Sequence, residues 1–276
     1  MASPNSFPVA LTIAGFDPSG GAGVLADLRT FAAFGLHSSA AITSLTFQTR
    51  TRVYGAEHQN ADTVRAQVIP LFDEYKIVCA KVGMLPTREV VRQVAQLFRE
   101  LDLPSPVLDP VIISTSGQRL MEEDAVDSLV SELLPLVRLI TPNISEAEHL
   151  TGISITSESE MRQAAAMIRG LGAEAVLIKG GHLGQEAGGR RQEAERSGGL
   201  GPADLCSDSI DVLDDEGRVT VFREPRIPGG ALRGSGCILS AAVAAGLGKG
   251  QPLEDSVRHA KTFVWEAIRR DSLGSS

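Results

Sequence analysis

The sequence predicts an α/β protein with a mostly parallel central sheet. Short apolar runs at residues 9–14, 77–82 and 175–179 are typical of buried strands. Stretches with helical periodicity, such as residues 25–34 and 87–101, separate these strands. Strands that alternate with helices of this length form right-handed βαβ units, so the strands run parallel. Ligands of such sheets bind beyond the carboxyl ends of the strands, which is where a functional site is expected.

The remaining elements continue this alternation. We expect strands at residues 40–45, 107–110 and 139–141, and helices at residues 62–74, 122–133 and 253–269. Ser145-x-x-Glu148 and Ser157-x-x-Glu160 have the spacing of capping boxes that open helices. Alternating apolar residues on both sides of Asp214-Asp-Glu-Gly217 predict a β-hairpin.

Composition restricts the class of protein. The chain has 276 residues, 43% of them hydrophobic, which is enough for a sizeable core. No linker or repeat is visible, so we expect one domain over residues 1–276, with the polar residues 184–202 forming a flexible surface loop. A net charge of −8 argues against a nucleic-acid partner. Three widely spaced cysteines, no signal-peptide pattern and no membrane-length apolar segment predict a cytoplasmic protein without a membrane partner.

The stretch Arg233-Gly-Ser-Gly-Cys237 is a small-residue turn at the start of an Ala-rich helix. Gly234 and Gly236 let the backbone approach a ligand closely, and the helix start presents unpaired N–H groups with a partial positive charge. Such a turn can bind a phosphate oxyanion, with Ser235 and Cys237 directed into the site. The structural alternative is a glycine-rich turn that only precedes a buried helix.

Four polar residues follow predicted strands. Asp109 is either a turn residue before Pro110 or a carboxylate near Mg²⁺, which prefers oxygen ligands. Asn143 and Glu146 are either a helix cap or a pair that holds Mg²⁺ through waters, and the two roles are compatible. Lys179 is either an exposed loop lysine or a clamp for transferred phosphate.

Six motifs follow one another along the chain and begin at Ala14, Lys81, Leu108, Ile140, Lys179 and Gly234. Taken together, they resemble the hydroxymethylpyrimidine/phosphomethylpyrimidine kinases of thiamin biosynthesis, within the ribokinase superfamily. The resemblance implies a three-layer αβα ribokinase-like fold with ATP and Mg²⁺, and usually a homodimer. It also implies phosphorylation of 4-amino-5-hydroxymethyl-2-methylpyrimidine and then of its monophosphate.

The resemblance also implies individual roles. Gln48 would hydrogen-bond the pyrimidine edge, while Met84 and the Gly15 backbone line the ring pocket and Asp27 supports that loop. Lys179 would contact the ATP phosphates. Cys237 stands where most ribokinase relatives have an aspartate base, and we expect it to accept the proton of the substrate hydroxyl. The helix N-terminus is expected to lower the pKa of this thiol.

Departures from the family pattern keep two other functions open. Phe16 replaces a usual Ser or Thr, Phe47-Gln-Thr-Arg50 replaces Ala-Gln-Asn-Thr, and Arg233 replaces a His. A pyridoxal-type kinase of the same branch is the alternative, because that substrate is also a flat heteroaromatic ring with a hydroxymethyl arm. A ligand-binding protein without catalysis is the third hypothesis.

Overall fold

The computed structural model describes residues 7–49, 52–113, 119–181, 208–227 and 232–274. In this part of the chain nine strands form one sheet in the order β3-β2-β1-β4-β5-β6-β7-β8-β9. The strands are β1 (Pro8–Phe16), β2 (His37–Gln48), β3 (Val53–His58), β4 (Lys76–Val82), β5 (Val107–Leu108), β6 (Leu139–Ile140), β7 (Ala175–Gly180), β8 (Asp208–Asp215) and β9 (Arg218–Pro225). The helices are α1 (Gly23–Ala33), α2 (Ala61–Glu74), α3 (Arg88–Glu100), α4 (Glu123–Ser128), α5 (Ile144–Thr151), α6 (Glu158–Gly170), α7 (Ser235–Gly248) and α8 (Leu253–Gly274).

The centre of the sheet is parallel, as the sequence predicts. Strands β2, β1, β4, β5, β6 and β7 pair in parallel, whereas β3 at one end and β8 and β9 at the other pair antiparallel. The predicted hairpin is β8–β9, and its turn residues Glu216 and Gly217 both have positive φ, as a tight two-residue hairpin turn requires.

Helices cover both faces of this sheet, so the three-layer αβα ribokinase-like expectation is confirmed. Along each strand successive side chains point to opposite faces. Leu108 and Ile140 accordingly join the core beneath α2–α6, whereas their neighbours Val107 and Leu139 join the core with α7 and α8. Both cores are built mainly from buried aliphatic side chains, which explains why the strands are continuously apolar.

Two elements differ from the predictions. The strand predicted at residues 40–45 is longer, since β2 spans His37–Gln48, and the edge strand β3 that follows it is not among the predicted strands. Strand β3 escapes recognition because its residues are half-buried or exposed without strict alternation. The predicted helix over residues 122–133 begins as α4 and continues as a π-helical turn, Leu129–Leu133, and a 3₁₀ turn, Leu134–Leu136.

The start of α5 corrects a predicted cap. Ser145 and Glu148 do not form a capping box; Asn143 and Glu146 do, because each side chain accepts a hydrogen bond from the backbone N–H of the other residue. Glu148 instead accepts from the Ile155 N–H. Ser157 is the cap of α6, as predicted.

No helix within the described ranges is long and apolar enough to cross a membrane. The predicted loop at residues 184–202 lies outside the described residues.

Candidate active site

The turn before α7 packs directly on the glycine-rich loop after β1. Gly234 caps the helix with φ +75°, a conformation that favours glycine. A Cβ at this residue would lie 2.0 Å from the Gly21 carbonyl oxygen. Glycine at residue 234 is therefore required twice, once by the backbone angle and once by the contact between the two loops.

Gly236 brings the start of α7 beside a largely buried ion pair. Lys179 Nζ donates to Asp109 Oδ1 at 2.9 Å, and a Cβ on Gly236 would lie 3.0 Å from that Nζ and 3.8 Å from both Asp109 carboxylate oxygens. The Ser235 N–H donates to the Leu232 carbonyl. The next amides belong to the first turn of a helix, where N–H groups have no intrahelical acceptor.

Asp109 and Lys179 each stabilise the charged form of the other. Burial alone would raise the pKa of Asp109, but the Lys179 and Lys81 ammonium groups hold it below its usual value. Burial opposes the charge of Lys179, but Asp109 and Glu146 raise the pKa of its ammonium. Lys179 therefore carries a positive charge beside the start of α7, where the helix N-terminus also favours an anion.

Cys237 contacts the same group of side chains, but the prediction of a lowered thiol pKa is wrong. Burial is the largest cause that raises the pKa of this thiol from 9.0 to about 12, and the carboxylates of Asp109 and Asp27 act in the same direction. The Cys237 side chain helps to lower the pKa of Asp109, and the Gly23 N–H and the Lys81 ammonium oppose the rise in the pKa of the thiol. Cys237 is half-buried as a residue, but its sulfur lies among buried charged groups, which outweigh the helix terminus.

A second buried ion pair lies behind the first. Lys81 Nζ is 2.9 Å from Asp27 Oδ2, both side chains are 0% exposed, and Thr12 Oγ1 donates to the same carboxylate oxygen at 2.7 Å. Burial would lower the pKa of Lys81, but Asp27 raises it above its ordinary value. Burial raises the pKa of Asp27, with Lys81 opposing it. The sequence shows Lys81 within a predicted strand but gives no sign of its role, because its partner Asp27 lies 54 residues away in the chain.

Asn143 and Glu146 lie next to Lys179. Asn143 forms a parallel bridge with Lys179, and the Lys179 N–H donates to the Pro142 carbonyl. Glu146 is buried, and burial together with the Asp109 charge raises its pKa to about 7, with Lys179 opposing that rise. The predicted residues Asp109, Asn143, Glu146 and Lys179 thus lie together.

The residues predicted to bind the acceptor form a second group. Met84 is buried, and its sulfur lies 3.0 Å from where a Cβ on Gly15 would be. Gln48 at the end of β2 accepts a hydrogen bond from Arg233 Nη2. Because Arg233 directly precedes Gly234, the acceptor group and the phosphate turn meet at this contact.

Across the residues with described positions, no three His, Cys, Asp or Glu side chains are grouped to hold a metal ion. The oxygen-bearing residues near Lys179 are the carboxylates of Asp109 and Glu146 and the amide of Asn143. The Asp109 charge raises the pKa of Glu146, and a hard divalent cation between the two side chains would stabilise both carboxylates in their ionised form.

A parallel sheet with helices on both faces, a glycine turn at a helix start and a charged lysine beside it define a ribokinase-like small-molecule kinase. Comparison with known proteins gives the particular family. The sequence model of phosphomethylpyrimidine kinase matches residues 17–275. The chain therefore belongs to the phosphomethylpyrimidine kinase family.

Individual relatives agree with this assignment. The hydroxymethylpyrimidine/phosphomethylpyrimidine kinase of Streptomyces coelicolor is 37% identical over 261 residues, which cover 95% of this chain and 88% of the relative. The structure of phosphomethylpyrimidine kinase from Clostridium difficile has a TM-score of 0.78 and 32% identity, and covers 95% of this chain and 99% of that one. Staphylococcus aureus pyridoxal kinase in complex with pyridoxal has a TM-score of 0.81 and 26% identity, and covers 96% and 89% respectively.

Proposed function

We propose that this kinase transfers the γ-phosphoryl group of ATP to 4-amino-5-hydroxymethyl-2-methylpyrimidine and then to its monophosphate. The family assignment and the relatives named for this activity support the reaction. The observation that carries the proposal is the position of Lys179, whose ammonium group lies beside Gly236 at the start of α7. Positive charge and helix amides at one point suit a phosphoryl group in transfer.

On the acceptor side, we assign the pyrimidine ring to the region of Gly15, Gln48 and Met84. Gly15 and Met84 pack against each other and supply an apolar wall, while Gln48 supplies amide hydrogen bonds. We do not assign Asp27 as a substrate ligand. It forms a buried ion pair with Lys81, and in this way it supports the substrate region indirectly. The hydroxymethyl arm would then point toward Gly234–Cys237.

Asp109, Asn143 and Glu146 would hold Mg²⁺, at least partly through waters, as Mg²⁺ usually retains several of them. The donor set is entirely oxygen, and a cation would relieve the repulsion between Asp109 and Glu146. When bound, the ion would neutralise charge on the ATP phosphates. Lys179, which already pairs with Asp109, would share that task.

We assign Cys237 to proton transfer, but as a protonated thiol and not as a thiolate base. A protonated thiol cannot accept a proton unless it releases its own, and the ionised Asp109 carboxylate, whose charge helps to raise the pKa of the thiol, can accept that proton. We therefore assign Cys237 as a relay: the sulfur receives the hydroxyl proton while its S–H proton passes to the Asp109 carboxylate. Phosphoryl transfer makes modest demands on a base, so this weak relay can suffice.

Cys237→Ala should lower kcat about 10²-fold, since proton transfer by a positioned group contributes roughly that much or more. The wild-type pH profile of kcat should show no limb from thiol ionisation below about pH 10, because the pKa of the thiol is raised. Steady-state rates from about pH 6 to about pH 10 check both expectations. Full turnover by Cys237→Ala would contradict the relay.

Parallel assays with both alcohols test the proposed substrate. We expect kcat/KM for the hydroxymethylpyrimidine to exceed that for pyridoxal, measured as ADP release with Mg²⁺ present. The likeness to the S. aureus pyridoxal kinase makes pyridoxal the specific alternative, and preference for it would replace our assignment. If neither alcohol stimulates ATP turnover, the non-catalytic hypothesis takes precedence.

We also propose that the protein forms a homodimer, that it folds as a single domain and that it is located in the cytoplasm. Light scattering of the purified chain tests the homodimer, limited proteolysis tests the single domain, and cell fractionation tests the location.

Removal of Mg²⁺ with a chelator should abolish ADP release, and restored activity after Mg²⁺ is added back would support the assignment of Mg²⁺ to this site.

A further inference from the structure

Arg233 joins three parts of the site through one guanidinium group. Nη2 donates to Gln48 Oε1, and Nη1 donates to the Thr49 carbonyl oxygen at 2.7 Å. Nη2 also lies 3.7 Å from Asp17 Oδ2. The side chain is 23% exposed, and it packs on Gly21, where a Cβ would lie 3.1 Å from Cδ of the arginine. The residue before the phosphate turn is thus tied to the end of β2 and to the glycine-rich loop.

The anchors of this guanidinium are themselves fixed. Asp17 accepts hydrogen bonds from the Ser19 N–H, the Ser19 hydroxyl and the Ala22 N–H, at 2.7 to 3.1 Å. The Thr49 N–H donates to the Arg52 carbonyl, which holds the Thr49 backbone in place. A guanidinium between a fixed carboxylate and a fixed carbonyl has a defined orientation, because its donors diverge in one plane.

This contact decides which end of the Gln48 amide faces the arginine. A guanidinium has only donors, so the carbonyl oxygen of Gln48 must face it and the amide NH₂ must point elsewhere. We propose that Arg233 is a positioning residue that fixes the Gln48 amide with Nε2 directed at the acceptor ring. This proposal rests on the proposed function, in which Gln48 contacts that ring.

The fixed amide has a consequence for specificity. An NH₂ group held toward the ring selects a heteroaromatic alcohol that presents a hydrogen-bond-accepting ring nitrogen at this point. The carbonyl oxygen keeps a second lone pair and can accept from an exocyclic amine beside that nitrogen. If a ring presents an N–H donor at this point, that donor faces the NH₂ group of Gln48 and no hydrogen bond can form. Such a ring should bind more weakly.

Binding of 4-amino-5-hydroxymethyl-2-methylpyrimidine, measured by titration calorimetry without ATP, tests the role of Arg233. We expect Arg233→Met to raise the acceptor Kd and KM roughly tenfold, the scale of one charge-assisted hydrogen bond, with kcat changed less than about threefold. Arg233→Lys should recover part of the affinity, because an ammonium also has only donors. Arg258→Met is the matched control: it removes an arginine that stacks on the Phe222 ring of β9, away from this site, and should leave Kd unchanged.

Gln48→Glu tests the amide orientation separately. A carboxylate keeps an oxygen toward Arg233 but places a second acceptor where the NH₂ group was, so acceptor binding should weaken by about 10-fold or more. If Gln48→Glu binds the acceptor with wild-type affinity, the proposal is wrong. It is also wrong if Arg233→Met lowers the melting temperature but leaves the acceptor Kd unchanged. If the wild-type protein itself does not bind the pyrimidine alcohol, it is the proposed function that fails, and this inference with it.

Discussion

Lys179→Met should lower kcat about 10²- to 10³-fold, the scale seen when one preorganised donor to a developing charge is removed. Lys179 is the charged side chain that lies next to Gly236, where the transferred group is expected. Burial and the Asp109 carboxylate fix its position before substrate binds, so its charge needs no reorganisation during transfer. Single-turnover ADP formation at saturating acceptor measures the effect on the chemical step.

Two further variants make the Lys179 result specific. Lys249→Met removes an exposed lysine at the opposite end of α7, where the ammonium donates to the Phe34 carbonyl, and should leave kcat unchanged. Lys179→Arg keeps the charge in a different shape and should restore only part of the rate. A kcat for Lys179→Met within threefold of wild type, roughly the scatter of such assays, would exclude the assigned role.

Lys81→Met should reduce the free energy of unfolding by about 3–5 kcal/mol, because it leaves the Asp27 carboxylate buried without its cation. Both side chains are fully buried, and water cannot replace the lost partner. Urea denaturation followed by circular dichroism measures this loss. For comparison, Arg270→Met breaks an exposed pair with Glu266 and should cost about 1 kcal/mol or less.

The double variant Lys81→Met/Asp27→Asn separates charge from packing. The asparagine stays neutral without a cation and can still accept the Thr12 hydrogen bond, so it should recover most of the lost stability. A double variant that is as unstable as Lys81→Met alone would show that packing of the lysine stem, rather than the unpaired carboxylate, dominates.

The parallel sheet was predictable because its strands are apolar on both sides. Residues 9–14 and 175–179 belong to β1 and β7, and the turn residues after them lie at one edge of the sheet. Strand β3 was not predictable in this way, because an edge strand with exposed side chains lacks the apolar pattern. The helix at residues 122–133 has the right periodicity, but sequence does not reveal where its hydrogen bonds shift to the π and 3₁₀ patterns.

Some features of the candidate site could also be predicted from the sequence, and others could not. Gly234, Gly236 and Lys179 stood out because glycine and lysine are unusual beside buried strands, and the structure brings them together. The state of the Cys237 thiol could not be derived, since it depends on Asp109 and Asp27, which are distant in sequence. The helix terminus was visible in the sequence, but the burial and carboxylates that outweigh it were not.

The contact between Gly234 and Gly21 limits which insertions and deletions the glycine-rich loop after β1 can tolerate. At Gly234 the start of α7 meets the glycine-rich loop after β1 backbone against backbone, so no side chain at that contact can absorb a shift. A residue inserted among positions 17–23 would therefore displace the catalytic turn directly. We expect that segment to tolerate length changes far less than the hairpin turn at Glu216 and Gly217, which lies between two antiparallel strands at the edge of the sheet.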